Sequence, residues 1–231
     1  MLALEGLDLR QGGFALTADL EITGPGVVAV LGPSGAGKST LLAAIAGFLD
    51  PRAGCIRWDG RDITGLAPGA RPVAMMFQDQ NLFPHLTLAQ NLGLAISPAL
   101  RLGRGDGDRI RQILARVGLE GFEDRRPADL SGGQASRAGL ARVLLQDRPV
   151  VLLDEPFASL GPALKTEMLD LVAKHLSHAL VLMVTHDPED ARRVAERTVL
   201  VADGKATGPF ETRALLDDPP PELAVYLGPR S

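Results

Sequence analysis

A glycine-rich segment at residues 32–40 has the residue types and the spacing for binding phosphate. It reads Gly-Pro-Ser-Gly-Ala-Gly-Lys-Ser-Thr, follows the apolar run 27–31 and precedes the apolar run 41–46, so we predict a strand, a tight loop and a helix. Glycines let such a loop turn backbone N–H groups onto phosphate oxygens, and the start of the helix adds a positive dipole. The alternative, a glycine-rich turn with an exposed lysine, does not account for all these features together.

The side chains of this loop have separate expected tasks. Lys38 is expected to neutralise the β and γ phosphates, and the Ser39 hydroxyl is placed to ligate Mg²⁺. The predicted phosphate-binding residues of the loop are Gly32, Pro33, Ser34, Gly35, Ala36, Gly37, Lys38, Ser39 and Thr40.

Three further apolar runs end in polar side chains. Ligands of open α/β sheets bind at the carboxyl ends of the strands, so we expect these polar side chains to lie beside Lys38. They are Gln78 after the run 73–77, Asp154 and Glu155 after 150–153, and His186 after 180–184.

Each of these strand-end residues has a functional and a structural interpretation. A carboxylate at Asp154, after the most apolar run, would be unfavourable without a partner, and Mg²⁺ is the expected partner. Glu155 is expected to polarise the attacking water, with a helix cap or an ion pair as the alternative. His186 is expected to bond the γ phosphate, with an ordinary core or surface histidine as the alternative.

A second glycine-rich helix start lies at residues 130–134, Leu-Ser-Gly-Gly-Gln. Ser131 is a good helix cap, and Gly132 and Gly133 allow close approach of an anionic ligand. It is far from the first loop in sequence, so nothing requires the two to share a ligand within one chain. They could share one if two copies met head to tail.

The pattern of apolar residues predicts an α/β fold. Residues 2–9 and 14–22 alternate apolar and polar side chains, which predicts an antiparallel hairpin at the edge of the sheet. Residues 82–148 change to helical spacing and form a helical insertion in the core. The last strand is expected at 198–202, followed by a Pro-rich tail from Thr207.

Composition restricts the possible classes of protein. The net charge of −4 argues against a protein that coats nucleic acid. The single cysteine, Cys55, excludes an internal disulfide and fits a reducing compartment. The sequence shows no secretory signal and no uncharged run near the roughly 18 residues of a membrane span, so any membrane span must come from another chain.

With these motifs in view, the chain resembles the ATP-binding subunits of ABC transporters over nearly its whole length. Five motifs in order carry the resemblance: a Walker A motif at 32–40, a Q-loop at Gln78, the LSGGQ signature at 130–134, a Walker B motif ending in Asp154 and Glu155, and a switch histidine at His186. The resemblance implies one domain with a RecA-like P-loop NTPase core (1–81 and 149–206), an N-terminal antiparallel β region, a helical subdomain (82–148) and a short tail (207–231).

The same resemblance implies partners and residue roles. ATP would lie between the Lys38 loop of one copy and Ser131, Gly132, Gly133 and Gln134 of a second copy. Glu155, His186 and Lys38 would be catalytic, Gln78 would contact ATP, and Ser39, Gln78 and Asp154 would hold Mg²⁺. Such a homodimer binds transmembrane permease subunits at the cytoplasmic face of a bacterial inner membrane, acts indirectly with a periplasmic solute-binding protein, and binds no nucleic acid.

A finer similarity concerns the transported solute. Residues 71–94 and 45–49 are similar to those of the ATPases of bacterial thiamine importers, which implies thiamine or thiamine phosphates. Alternatives are an importer of another small solute such as an inorganic or organic ion or a polyamine, a soluble ABC ATPase that acts on DNA or ribosomes, and a cassette that binds nucleotide without turnover. Several positions depart from the family. Gln11 replaces an aromatic residue that stacks on adenine, with Phe14 the nearest substitute, Gly161 replaces an aspartate, and Ala135-Ser136 replaces the usual polar pair after the signature.

Overall fold

The computed structural model describes residues 1–78 and 82–227, so Asp79, Gln80 and Asn81 and the last four residues of the tail lie outside the described chain. The strands are β1 (Leu2–Gln11), β2 (Phe14–Ile22), β3 (Gly26–Leu31), β4 (Ala53–Trp58), β5 (Arg61–Asp62), β6 (Val73–Met76), β7 (Val150–Asp154), β8 (Leu180–Val184), β9 (Arg197–Ala202) and β10 (Lys205–Glu211). The helices are α1 (Lys38–Ala46), α2 (Leu88–Ile96), α3 (Asp106–Arg116), α4 (Gly132–Gln146), α5 (Pro162–His175), α6 (Pro188–Val194), α7 (Thr212–Asp217) and α8 (Pro221–Leu227).

The strands form one sheet in the order β5-β4-β1-β2-β10-β9-β3-β8-β7-β6. The half from β9 to β6 is parallel, and β1, β2, β4 and β5 pair antiparallel. β10 joins the two halves, because it pairs parallel with β2 and antiparallel with β9. The predicted α/β class with an antiparallel N-terminal region is therefore confirmed.

Two details of the predicted sheet were wrong. The hairpin β1–β2 is present but does not lie at the edge, since β4 pairs with the outer side of β1 and β5 lies beyond it. The strand ending at Ala202 is not the last one, because β10 follows it and ends at Glu211. Gly208 and Pro209 interrupt the alternation of apolar and polar residues in this strand, and its register with β9 shifts between Thr207 and Phe210. The sequence pattern therefore did not predict a strand here.

Both faces of the sheet are covered. Along β7, Val150 and Leu152 pack with α1 on one face, while Val151 and Leu153 pack with the helical region on the other. This two-sided burial explains why the strand is an unbroken apolar run. α2, α3 and α4 form the predicted helical insertion, and α6, α7 and α8 cover a third cluster beside β3 and β9.

The helix that follows the glycine loop is secured at its far end by Arg71. This side chain is only 1% exposed, and its guanidinium donates to the backbone carbonyls of Leu66, Ala44, Ile45 and Thr64 at 2.5–2.9 Å. Two of these carbonyls belong to the last turn of α1, where intrahelical donors run out and a positive charge is favourable. A Cβ at Gly47 would lie 2.5 Å from Arg71 Nε, so the helix must end in a glycine there.

We predict that Arg71→Met lowers the free energy of unfolding by about 2–4 kcal/mol, because it leaves several buried carbonyls without donors. The exposed Arg52→Met is the matched control and should change stability by less than about 0.5 kcal/mol. Urea denaturation at neutral pH measures both. Equal stability of the two variants would contradict this role for Arg71.

Candidate nucleotide-binding site

The glycine loop between β3 and α1 needs glycine at two positions for different reasons. Gly32 has φ +151°, and a Cβ there would lie 1.9 Å from the Val201 carbonyl oxygen of β9. Gly37 has φ +101°, precedes α1, and a Cβ there would lie 2.3 Å from the Phe14 ring. The loop is therefore held tightly between β9 and the N-terminal hairpin, with its backbone turned as a phosphate site requires.

Lys38 lies inside this loop, and its ammonium group is held in place by the loop backbone. The side chain is 7% exposed, and its ammonium donates to the carbonyl oxygens of Gly32 at 2.7 Å and Pro33 at 2.8 Å. Burial lowers the pKa of Lys38, while the carboxylates of Glu155 and Asp154 act in the opposite direction. An ammonium so placed is well suited to a polyanionic ligand.

Asp154, at the end of β7, accepts a hydrogen bond from the Ser39 hydroxyl at 2.9 Å. Burial raises the pKa of Asp154, and the nearby Glu155 adds to this, whereas the Ser39 hydrogen bond and Lys38 oppose it. The structure thus brings a hydroxyl and a carboxylate together where burial disfavours the charged form of the carboxylate. Oxygen donors of this kind suit Mg²⁺.

Glu155 and His186 face each other beyond the strand ends. Glu155 adopts φ +45°, and its N–H donates to the Val184 carbonyl at 3.2 Å. Its Oε2 lies 3.6 Å from His186 Nδ1. The His186 side chain is 56% exposed, so it is available to a ligand rather than packed in the core.

The loop borders a cleft of about 420 Å³. Gln11, at the position where the family has an adenine-stacking aromatic residue, and Phe14, its nearest substitute, both line this cleft together with Glu155. The cleft is lined by Gln11, Phe14, Ser34, Gly35, Gly37, Lys38, Ser39, Thr40 and Glu155. Gln78 follows β6 at the same edge of the sheet and is exposed, but it is not among the described residues that line the cleft.

The second glycine motif forms the start of α4, in the helical region. Ser131 accepts from the Gln134 N–H at 3.3 Å, and the Gln134 side chain accepts from the Ser131 N–H at 2.9 Å, so Ser131 caps the helix as predicted. A Cβ at Gly133 would lie 2.3 Å from the Leu164 side chain of α5. Ser131 and Gly132 remain exposed, and their use in a site stays a prediction.

A charged cluster that was not predicted from the sequence adjoins His186. Lys165 on α5 lies 2.5 Å from Asp187 and 3.0 Å from Asp190, and the Thr185 hydroxyl donates to Asp190 at 2.7 Å. Burial disfavours the ions, yet the attraction between them outweighs it: the pKa of Lys165 is raised and that of Asp187 is lowered. Only the helix-start pattern Asp-Pro-Glu-Asp at 187–190 was a usable sequence signal.

Comparison with known proteins shows the family. The sequence profile described as ABC transporter matches residues 17–158. The thiamine import ATP-binding protein ThiQ of Cereibacter sphaeroides is 62% identical over 231 residues, covering 99% of this chain and 100% of the relative. The chain belongs to the ABC transporter family.

Other relatives of this ABC protein extend the match. ThiQ of Ruegeria sp. is 57% identical over 230 residues, covering 99% of this chain and 100% of the relative, and ThiQ of Photobacterium profundum is 46% identical over 228 residues, covering 97% and 94%. A dimeric structure of a post-hydrolysis state of the ATP-binding cassette MJ0796, bound to ADP and Pi, superposes with a TM-score of 0.80 at 28% identity, covering 92% of this chain and 99% of that chain. This ABC protein is therefore an ATPase.

The described part of the ABC protein contains no candidate membrane span and no cluster of metal-binding side chains. Within residues 1–78 and 82–227, no helix has the length and apolar character to cross a membrane. The same residues contain no group of three or more His, Cys, Asp or Glu side chains arranged to hold a metal.

We predict that Lys165→Met lowers the free energy of unfolding by roughly 1–3 kcal/mol at neutral pH, because it leaves Asp187 and the buried Asp190 without their cation. The lowered pKa of Asp187 means that this ion-pair contribution is present above the usual carboxyl pKa and is lost as the pH falls through the folded-state value. The gap between wild type and variant should therefore shrink below about pH 4.

Urea denaturation across this pH range tests the prediction, with Lys174→Met, an exposed lysine on the same helix, as the control. A stability loss that is the same at acidic and neutral pH would contradict the ion-pair explanation.

Proposed function

We propose that this protein is the ATP-hydrolysing subunit of a bacterial thiamine importer, driving uptake of thiamine or its phosphates. The observation that supports the solute is the end-to-end identity of 62% with ThiQ of Cereibacter sphaeroides and 57% with that of Ruegeria sp.. The chemistry is supported independently by the geometry around Lys38, Asp154 and Glu155.

ATP binds with its phosphates on residues 32–40. Lys38 is held at the loop carbonyls, which limits the reorganisation needed to meet the β and γ phosphates. Two copies enclose the nucleotide, and Ser131, Gly132, Gly133 and Gln134 of the second copy cover it. The exposure of Ser131 and Gly132 at the start of α4 and the dimeric MJ0796 cassette bound to ADP and Pi support this arrangement.

Mg²⁺ is the cofactor that these residues fit. Ser39 and Asp154 would hold it, since their oxygens lie within hydrogen-bond distance and a cation would offset the effect of burial on the Asp154 carboxylate. Gln78, at the same edge of the sheet, is the proposed third ligand. The ion would supply positive charge that offsets the negative charge developing on the phosphate oxygens.

Three side chains of the protein have separate roles in ATP hydrolysis. Glu155 orients the attacking water and accepts its proton, because it borders the cleft beside Lys38. His186, 3.6 Å from Glu155, donates to the γ phosphate and thereby makes catalysis depend on its presence. Lys38 stabilises the negative charge on the phosphoryl oxygens as the bond to the leaving group breaks.

The membrane partners follow from the importer role. The dimer binds transmembrane permease subunits at the cytoplasmic face of the inner membrane, as a peripheral subunit, and a periplasmic solute-binding protein delivers the solute from the other side. Gln78 and the helical insertion transmit closure and reopening of the dimer to the permease. Nucleic acid has no part in this cycle.

We predict that Glu155→Gln slows ATP hydrolysis by about 10²–10⁴-fold, because it removes the general base. The amide keeps the shape of the side chain, so Mg-ATP affinity should be retained. Steady-state phosphate release and equilibrium binding of a fluorescent ATP analogue measure the two effects. Lys38→Ala should instead abolish binding.

The exposed Glu120→Gln is the matched control and should hydrolyse ATP at the wild-type rate. In size-exclusion chromatography with light scattering, Glu155→Gln with Mg-ATP should elute as a dimer. Wild-type turnover in Glu155→Gln, or a monomer saturated with Mg-ATP, would contradict the proposed mechanism.

We predict that deleting the gene abolishes high-affinity uptake of radiolabelled thiamine by cells, and that the wild-type gene restores it while Lys38→Ala does not. Uptake of polyamines and of inorganic ions, measured in the same cells, should be unaffected. Unchanged thiamine uptake with loss of another solute would keep the ATPase role and overturn the choice of thiamine.

A further inference from the structure

The backbone around His186 belongs to neither neighbouring element. β8 ends at Val184 and α6 begins at Pro188, so the connecting residues need hydrogen-bond partners outside both. The His186 carbonyl accepts a hydrogen bond from the Tyr226 hydroxyl at 2.5 Å. Tyr226 lies on α8, the last helix, 40 residues further along the chain.

We propose that Tyr226 is a positioning residue for ATP hydrolysis, whose hydroxyl fixes the peptide group after His186 and thereby holds the imidazole beside Glu155. The inference rests on the proposed function, because it requires that His186 acts on the γ phosphate.

The peptide group between His186 and Asp187 is held at both of its polar atoms. Its carbonyl oxygen accepts from Tyr226, and its N–H donates to the Thr185 hydroxyl at 3.1 Å. A peptide group is planar, so two contacts on opposite sides fix its rotation about the chain. The N–H contact stays within the connecting segment, and among the described residues the Tyr226 hydrogen bond is the one that ties this peptide group to another part of the fold.

α8 is anchored well enough to provide such a tie. Leu223 is fully buried, and it packs with Tyr226 and Leu227 against a cluster that includes Leu31 of β3 and Ala191 of α6. The spacing i, i+3, i+4 places these three residues on one face of the helix. The same face that secures α8 therefore carries the hydroxyl to His186.

The surroundings keep the Tyr226 hydroxyl protonated. Burial raises the pKa of Tyr226, and the carboxylates of Glu155 and Asp187 add to this. The hydroxyl therefore remains a donor at neutral pH.

The test is a double-mutant cycle of ATP hydrolysis with the full-length protein and Mg-ATP. Tyr226→Phe should lower kcat by about three- to tenfold, the worth of one hydrogen bond, and leave KM within about twofold. In the His186→Ala background the same change should have no further effect. Thr207→Val, which removes another hydroxyl that donates to a backbone carbonyl, that of Leu200, should keep wild-type kcat.

A second measurement follows the ring itself. In NMR spectra with labelled histidine, Tyr226→Phe should shift the His186 ring resonances, and Thr207→Val should not. A merely structural role for Tyr226 would lower the melting temperature and reduce kcat equally in the presence and absence of the His186 side chain.

The outcomes separate this inference from the proposed function. If His186→Ala loses activity but Tyr226→Phe keeps wild-type kcat and wild-type His186 resonances, the positioning role is overturned and the proposed mechanism stands. Additive losses in the double mutant overturn it as well. If His186→Ala itself keeps full activity, the proposed use of His186 fails, and the positioning role fails with it.

Discussion

Two opposite charges, withdrawn from water at one edge of the sheet, are the constraint on which the site depends. Burial lowers the pKa of Lys38 and raises that of Asp154, so burial disfavours the charged form of each group. Loop carbonyls satisfy the ammonium, and the Ser39 hydroxyl satisfies part of the carboxylate. In the proposed function, the phosphates of Mg-ATP add negative charge beside Lys38, and the Mg²⁺ adds positive charge beside Asp154. Nucleotide binding is therefore linked to the electrostatics of the free protein.

The sheet order makes this arrangement possible. β8 lies between β3 and β7, so the Ser39–Asp154 hydrogen bond spans the end of β8 and joins the loop after β3 to the end of β7. The parallel direction brings His186, after β8, to the same edge. Arg71 fixes the other end of α1, and so the position of the loop depends on contacts at both ends of one helix.

Much of this site could be predicted from the sequence, because its signals are local. The glycine loop, the helix start at Ser131 and the polar residues that end apolar strands are each readable within about ten residues. Contacts that join distant segments left no such signal. The contacts of Lys165 with Asp187 and of Tyr226 with His186 form only when the folded chain brings these segments together. The strand β10 was not predicted because Gly208 and Pro209 interrupt its alternation of apolar and polar residues.

The position of β10 has a consequence for the order in which the protein is assembled. β10 pairs with β2 through Lys205 and Ala206, opposite Thr17 and Ala18, and it is the only strand of the described chain that joins the antiparallel half of the sheet to the parallel half. The N-terminal hairpin is synthesised long before β10, so its free edge at β2 stays open until residues 205–211 have been added. Such an edge can pair with other chains, so the nascent protein needs protection there until β10 arrives.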